Sequence, residues 1–149
     1  MKHPQLFFVL SFCIYSFTVN AQEHTTYYDQ RVTHFQTMPA VTGKIIFCGN
    51  SITDGGEWQE MFTDPDIVNR GISGDLSQGV IDRLDAMVQM HPSKFFLLIG
   101  VNDLSRGTPV NTVADNIQKI ITCFAEKSPE TRLYIQSLLP VNPLFNKFS

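Results

Sequence analysis

Cysteine is scarce in this 149-residue chain: three in all, with no Cys-x-x-Cys pair and no Cys/His cluster of zinc-site spacing. A basic excess is missing too. Lys and Arg number 11 against 14 Asp and Glu, a net charge of −3, so the electrostatic footprint of a nucleic-acid binder is absent. There is no internal repeat and no low-complexity segment, and nine Gly with eight Pro is ordinary usage. With 43% hydrophobic and 17% charged residues, a disordered chain, a coiled coil and a collagen-like repeat are ruled out. The length allows one domain with a real core.

What is present begins with a short basic start, Lys2 and His3, followed by an apolar stretch over residues 6–19. Asn20 and Ala21 then lead into the polar run Gln22, Glu23, His24, Thr25, Thr26. This order reads as a secretory signal peptide over residues 1–21, with cleavage after Ala21 and a secreted or periplasmic destination. The stretch is short and interrupted by Ser and Thr, so no stable membrane span is expected once it is removed. An exported chain could pair Cys48 with Cys123, but Cys48 falls in an apolar strand pattern and Cys123 on the apolar side of a helix pattern, so buried free thiols acting as small hydrophobes are the favoured expectation.

Residues 22–42 show no clear period and are expected to wrap the surface. From residue 43 onward, strand and helix patterns alternate. Continuous apolar runs occur at Lys44 to Cys48, Ile67 to Asn69, Phe95 to Ile99 and Leu133 to Leu139, with Gly or Pro closing most of them. Such runs suit strands buried on both faces of a parallel sheet. Between them, Val80, Leu84, Met87 and Val88 recur at helical spacing within residues 76–90. Val113, Ile117, Ile120, Ile121 and Phe124 do the same within residues 109–126, behind a Thr108 cap and Pro109 at the first helical position. A short helix is expected over residues 57–62. The pattern predicts an α/β three-layer sandwich with its ligand site at the carboxyl ends of the strands.

Three polar motifs sit at those ends. The first holds Gly49, Asn50, Ser51, Ile52, Thr53 and Asp54 after the first strand. Ser51 there is either a helix cap or a hydroxyl exposed to substrate, with its own N–H at a helix start. The second holds Asn69, Arg70, Gly71, Ile72, Ser73, Gly74 and Asp75, where Gly74 can present its N–H with no side chain in the way, or simply make a turn. The third holds Gly100, Val101, Asn102 and Asp103. The Asn102 amide can donate to an anionic oxygen, and Asp103 either orients neighbours or caps a loop. Taken together they place a hydroxyl and up to three donors on one rim, as an acyl-transfer transition state requires.

The order Gly-Asn-Ser, Ile-Ser-Gly-Asp, Gly-Val-Asn-Asp resembles the SGNH (GDSL-like) hydrolases over about residues 43–142. The resemblance implies a flavodoxin-like α/β/α sandwich with strand order 2-1-3-4-5. It implies Ser51 as nucleophile and Gly74 and Asn102 as oxyanion donors, with Gly49, Asn50, Asp54, Ser73 and Asp103 lining the substrate. No metal or organic cofactor is required. Asn50 stands where many members carry Asp. Together with Gly55, Gly56, Glu57 and Trp58, it resembles the branch of acetylhydrolases and carbohydrate acetylesterases.

The family's Asp-x-x-His block does not occur in these 149 residues. The expectation is therefore a partial domain over residues 43–149, with about four of five strands and impaired catalysis, because an unactivated Ser hydroxyl is a weak nucleophile. His91 is expected on the opposite rim, and His24 and His34 on the surface. The substrate expected is a small-molecule ester, with an acetylated carbohydrate favoured by resemblance. The rival is a non-catalytic carbohydrate- or lipid-binding remnant using the same rim. For the leader, amino-terminal sequencing of exported protein is expected to begin near Gln22; intact residues 1–19 in a membrane fraction would refute cleavage.

Overall fold

The structure, a computed structural model, describes residues 24–140. The expected signal peptide and the residues from Val141 onward lie outside them. Four parallel strands form one sheet: β1 (Ile45–Gly49), β2 (Ile67–Gly71), β3 (Lys94–Leu98) and β4 (Arg132–Ile135), in the order β2-β1-β3-β4. The register pairs Gly49 with Gly71 and with Leu98, so the first three strands finish level. That places all three polar motifs on one rim. This is the α/β sandwich expected, with its strands in the implied order.

Side chains alternate across the sheet and define the two helical layers. Ile46, Cys48, Phe95 and Leu97 point to one face and are buried there with Val80, Leu84, Met87, Val88, Ile120 and Phe124. These come from α4 (Ser77–Asp82), α5 (Leu84–Val88) and α7 (Val110–Lys127). Phe95 and Phe124 meet ring to ring at 4.5 Å in that layer. On the other face Phe47 stacks between Trp58 of α3 (Trp58–Phe62) and Phe96, at 4.8 and 4.7 Å, and Tyr134 continues the row at 4.5 Å from Phe96. Two short helices, α2 (Ser51–Asp54) and α6 (Val101–Ser105), begin where β1 and β3 end.

Several sequence expectations are corrected. The strands are not equally buried on both faces: β3 alternates between half-buried and buried residues, and its half-buried Phe96 belongs to the aromatic row. The fourth strand ends at Ile135 rather than Leu139, and Tyr134 and Ile135 are exposed. The helix expected over residues 76–90 is two helices, parted at Arg83, whose φ of −116° and ψ of 10° leave the helical region. Its side chain turns inward there, donating to Asp75 and to the Arg70 carbonyl. α7 starts one residue late: Pro109, with ψ at 139°, holds the cap position instead of the first turn, and Thr108 lies outside.

The segment read as aperiodic contains a helix, α1 (Thr26–Thr37), capped by the Thr25 hydroxyl, which accepts from the Tyr28 N–H. Tyr28 is its one buried residue, so no apolar stripe announces it. Polar contacts hold it across the outer side of β2: Tyr28 Oη donates to the Gly79 carbonyl and Tyr27 Oη to Asp54. Among the described residues no helix is long and apolar enough to cross a membrane.

Cys48 and Cys123 are both free. Burial pushes the Cys48 thiol up, which keeps it protonated and unreactive. Alkylation of the native chain at mildly alkaline pH, followed by peptide mass mapping, is expected to leave Cys48 unmodified until denaturant is added.

Candidate active site

Most backbone polar groups near the rim can be followed to a partner, and the exceptions mark the site. At the end of β1 the buried Asn50 caps α2: its Oδ1 accepts from the Ile52 N–H at 3.0 Å, and its carbonyl accepts from Thr53 and Asp54. The Gly49 carbonyl accepts from Ile72, and a Cβ on Gly49 would run into the Leu98 carbonyl and the Thr53 hydroxyl. Ser51, the first residue of α2, is exposed. Neither its hydroxyl nor its N–H has a hydrogen-bond partner among the described residues.

The loop after β2 is gripped from four sides. Ser73 donates both its N–H and its hydroxyl to Asp54 Oδ2, at 3.0 and 2.7 Å. The Gly74 carbonyl accepts from Arg106 Nη2 at 3.1 Å, and the Asp75 carbonyl from Asn102 Nδ2 at 2.9 Å. The Asp75 carboxylate, buried, pairs with Arg83 at 2.7 Å. Burial drives the Asp75 carboxyl up while the Arg83 guanidinium beside it pulls it down, and the burial effect is the larger.

Along residues 72–77, the N–H of Ile72 goes to Gly49, of Ser73 to Asp54 and of Asp75 to Ile72. The N–H of Leu76 goes to the Asp75 carboxylate and that of Ser77 to Asp103. Gly74, at φ +79°, is the residue in this run whose N–H is left without a partner. A side chain there would be strained, and glycine removes that cost.

Asn102 is the second residue of α6, behind Gly100, whose φ of +117° makes the turn from β3. One amide hydrogen of Asn102 is spent on Asp75, which fixes the side chain and leaves the second hydrogen to the half-exposed side. The rim thus holds the Ser51 hydroxyl, the Ser51 and Gly74 N–H groups and an anchored Asn102 amide. This is a donor set suited to an oxyanion, and Arg106 sits beside it.

Of the five residues expected to line substrate, the structure turns three inward. Gly49 and Asn50 are buried and hold the turn before Ser51. Asp103 is buried and accepts from the N–H and hydroxyl of Ser77, to which Asn116 also donates; it orients neighbours rather than facing outward. Asp54 and Ser73 lie nearer the surface, but their polar atoms are committed to each other and to Tyr27 and Arg31.

Arg106 and Asn69 escaped the sequence reading as positioning residues. Asn69 donates to the carbonyls of Thr53, Asp54 and Gly56 and accepts from the Gly71 N–H, joining the first motif to the second. For Arg106 the available signal was its spacing one helical turn after Asn102. His91 bonds Ser128 and passes its carbonyl to Gly43, at the rim where the strands begin. His24 stacks on Tyr28 at 3.9 Å and contacts Asp82 at 3.1 Å. It lines a hollow of about 20 Å³ together with Ser73, Gly74 and Arg106.

A parallel sheet in this order, with a serine and two unspent N–H groups at its carboxyl rim, defines an α/β fold with its candidate site at the ends of the strands. Residues 47–148 match the GDSL-like Lipase/Acylhydrolase family, and the chain belongs to it. It is 28% identical over 112 residues to platelet-activating factor acetylhydrolase IB subunit alpha1 of Bos taurus, covering 70% of this chain. The chain spans 48% of the length of that relative. A solved structure described as a platelet activating factor from Streptococcus pneumonia is 34% identical, with a TM-score of 0.69, over 78% of this chain and 56% of that one. A GDSL-like lipase from Bacteroides thetaiotaomicron shares the fold at a TM-score of 0.64 and 22% identity, over 81% of this chain and 63% of that one.

Asp103→Ala is expected to leave the Ser77 N–H and hydroxyl short of their shared acceptor. Each such loss costs about 1–3 kcal/mol, to be read as a lowered urea midpoint at unchanged slope.

Proposed function

We propose that this chain carries the nucleophile and oxyanion site of an exported serine ester hydrolase acting on small acyl esters, with acetyl groups on carbohydrate favoured. The observation that carries the reading is the hydrogen-bond accounting at the rim: Gly74 N–H and Ser51 N–H unspent, beside an anchored Asn102 amide. The resemblance to acetylhydrolases supports the small acyl group, and the leader-like residues 1–21 support export.

In this reading Ser51 Oγ attacks the ester carbonyl and its proton passes to a base. The carbonyl oxygen becomes an oxyanion held by Ser51 N–H, Gly74 N–H and Asn102 Nδ2. Collapse expels the alcohol and leaves an acyl-Ser51, which water then hydrolyses. No Asp-x-x-His occurs in the sequence to supply the base. His24, beside Asp82, is the histidine that shares a hollow with Gly74.

A fluorophosphonate probe is expected to label the chain slowly and at Ser51 alone, with no labelling of Ser51→Ala. Asn102→Ala should slow that labelling by about a hundredfold while the chain stays folded, the loss typical of one oxyanion donor. Labelling that survives Ser51→Ala would overturn the reading. Hydrolysis of p-nitrophenyl acetate is expected to stay near the Ser51→Ala background; turnover lost in both Ser51→Ala and His24→Asn would assign the base to His24.

A further inference from the structure

A second hollow, of about 410 Å³, opens away from the rim, between the end of α1 and α5. Its lining combines apolar side chains, among them Phe35, Met38, Met87 and Met90, with the guanidinium of Arg70. Arg70 is only 7% exposed, yet forms no ion pair among the described residues. Its one hydrogen bond there runs from Nη1 to the carbonyl of its own neighbour Asn69, at 3.1 Å.

A buried, unpaired guanidinium is costly. Here the cost is compounded by like charge. Arg70 and Arg31 both lie against the ring of Phe35, at 4.8 and 4.6 Å from its centroid. Arg31 Nε is itself buried without a partner. Burial, with Arg31 and Arg83 adding their repulsion, lowers Arg70 from its ordinary range. The two carboxylates that line the hollow are already engaged, Asp82 with His24 and Asp85 with Lys127. Arg83, which also lines the hollow, is paired with Asp75, so Arg70 is the guanidinium there without a carboxylate, and Phe35, Met38, Met87 and Met90 supply apolar surface in the same lining.

We propose that this hollow binds an amphiphilic carboxylate, its carboxylate on Arg70 and its alkyl chain among Phe35, Met38, Met87 and Met90. A carboxylate suits the planar donor fork of arginine. The volume is that of a small-ligand pocket, and flexible methionines line apolar sites that accept varied chains. The ligand would bind between α1 and α5, on a surface separate from Ser51, so the inference does not depend on the esterase reading.

Octanoate is the probe, and the Ser51→Ala chain is the protein, which removes turnover. With the methionine methyls labelled for NMR, octanoate is expected to shift Met38, Met87 and Met90 saturably and to leave Met61, exposed on α3, in place. Octanol should produce no such shifts. Arg70→Gln should weaken octanoate binding by about tenfold or more, in line with the loss of a charge-assisted bond. Because Arg70 is buried, Ala86→Trp provides a second variant: Ala86 is exposed, lines the hollow, and its enlargement should block binding without changing the melt. Equal shifts with octanol would overturn the proposal, as would octanoate binding that persists in folded Ala86→Trp, or no saturable shift at millimolar octanoate.

Discussion

Asp75 is the residue through which the rim is held together, because every polar group it owns is spent on a different element. Its N–H closes the turn onto Ile72, and one carboxylate oxygen accepts from Leu76 at the start of α4. The other oxygen pairs with Arg83, and its carbonyl holds the Asn102 amide. Removing either member of a buried pair of this kind costs about 3–5 kcal/mol, because the survivor keeps its desolvation penalty. The same residue therefore sets the conformation of the Gly74 loop, the break between α4 and α5, and the direction of the donor on α6.

Neighbouring sequence is shaped around that carboxylate. Gly79 lies inside α4, where glycine lowers helix stability by about 1 kcal/mol relative to alanine. A Cβ there would run into Asp75 Oδ1, so the close approach of α4 to the carboxylate requires the glycine. The buried Gly79 carbonyl accepts from the Tyr28 hydroxyl at 2.7 Å. Burial raises the Tyr28 phenol well above its ordinary value, so it remains a donor throughout the range in which the chain is folded.

The fold, and the rim to which the candidate site was assigned, were legible because both are written in local chemistry. Apolar runs such as Phe95 to Ile99 mark strands, and Gly, Asn and Asp following them mark the turns where a rim forms. What was not legible depends on partners distant in sequence. Arg83 lies in a good helical pattern, and its acceptors at the break, the Asp75 carboxylate and the Arg70 carbonyl, are distant in that pattern. Asn50 and Asp103 have the residue types of ligand-binding groups, but their direction is decided by Ile52 and Ser77, whose N–H groups need acceptors. α1 carries no apolar period because it is fastened by hydroxyls and charges rather than by a buried stripe.

That fastening has a consequence for how the amino-terminal helix relates to the rim. Asp54 receives Tyr27 and Arg31 from α1 and, through the same carboxylate, the N–H and hydroxyl of Ser73. The Asp54 bond pushes the Tyr27 phenol up, which keeps the donor in place. Ser73 precedes Gly74, so the peptide that carries the unspent Gly74 N–H is oriented by a carboxylate that α1 helps to hold. The arginine pair around Phe35 works against this arrangement, since Arg31 is drawn toward Asp54 while Arg70 repels it from below. The contacts of Tyr27 and Arg31 with Asp54 are nonetheless made, so the carboxylate outweighs the repulsion between the two arginines.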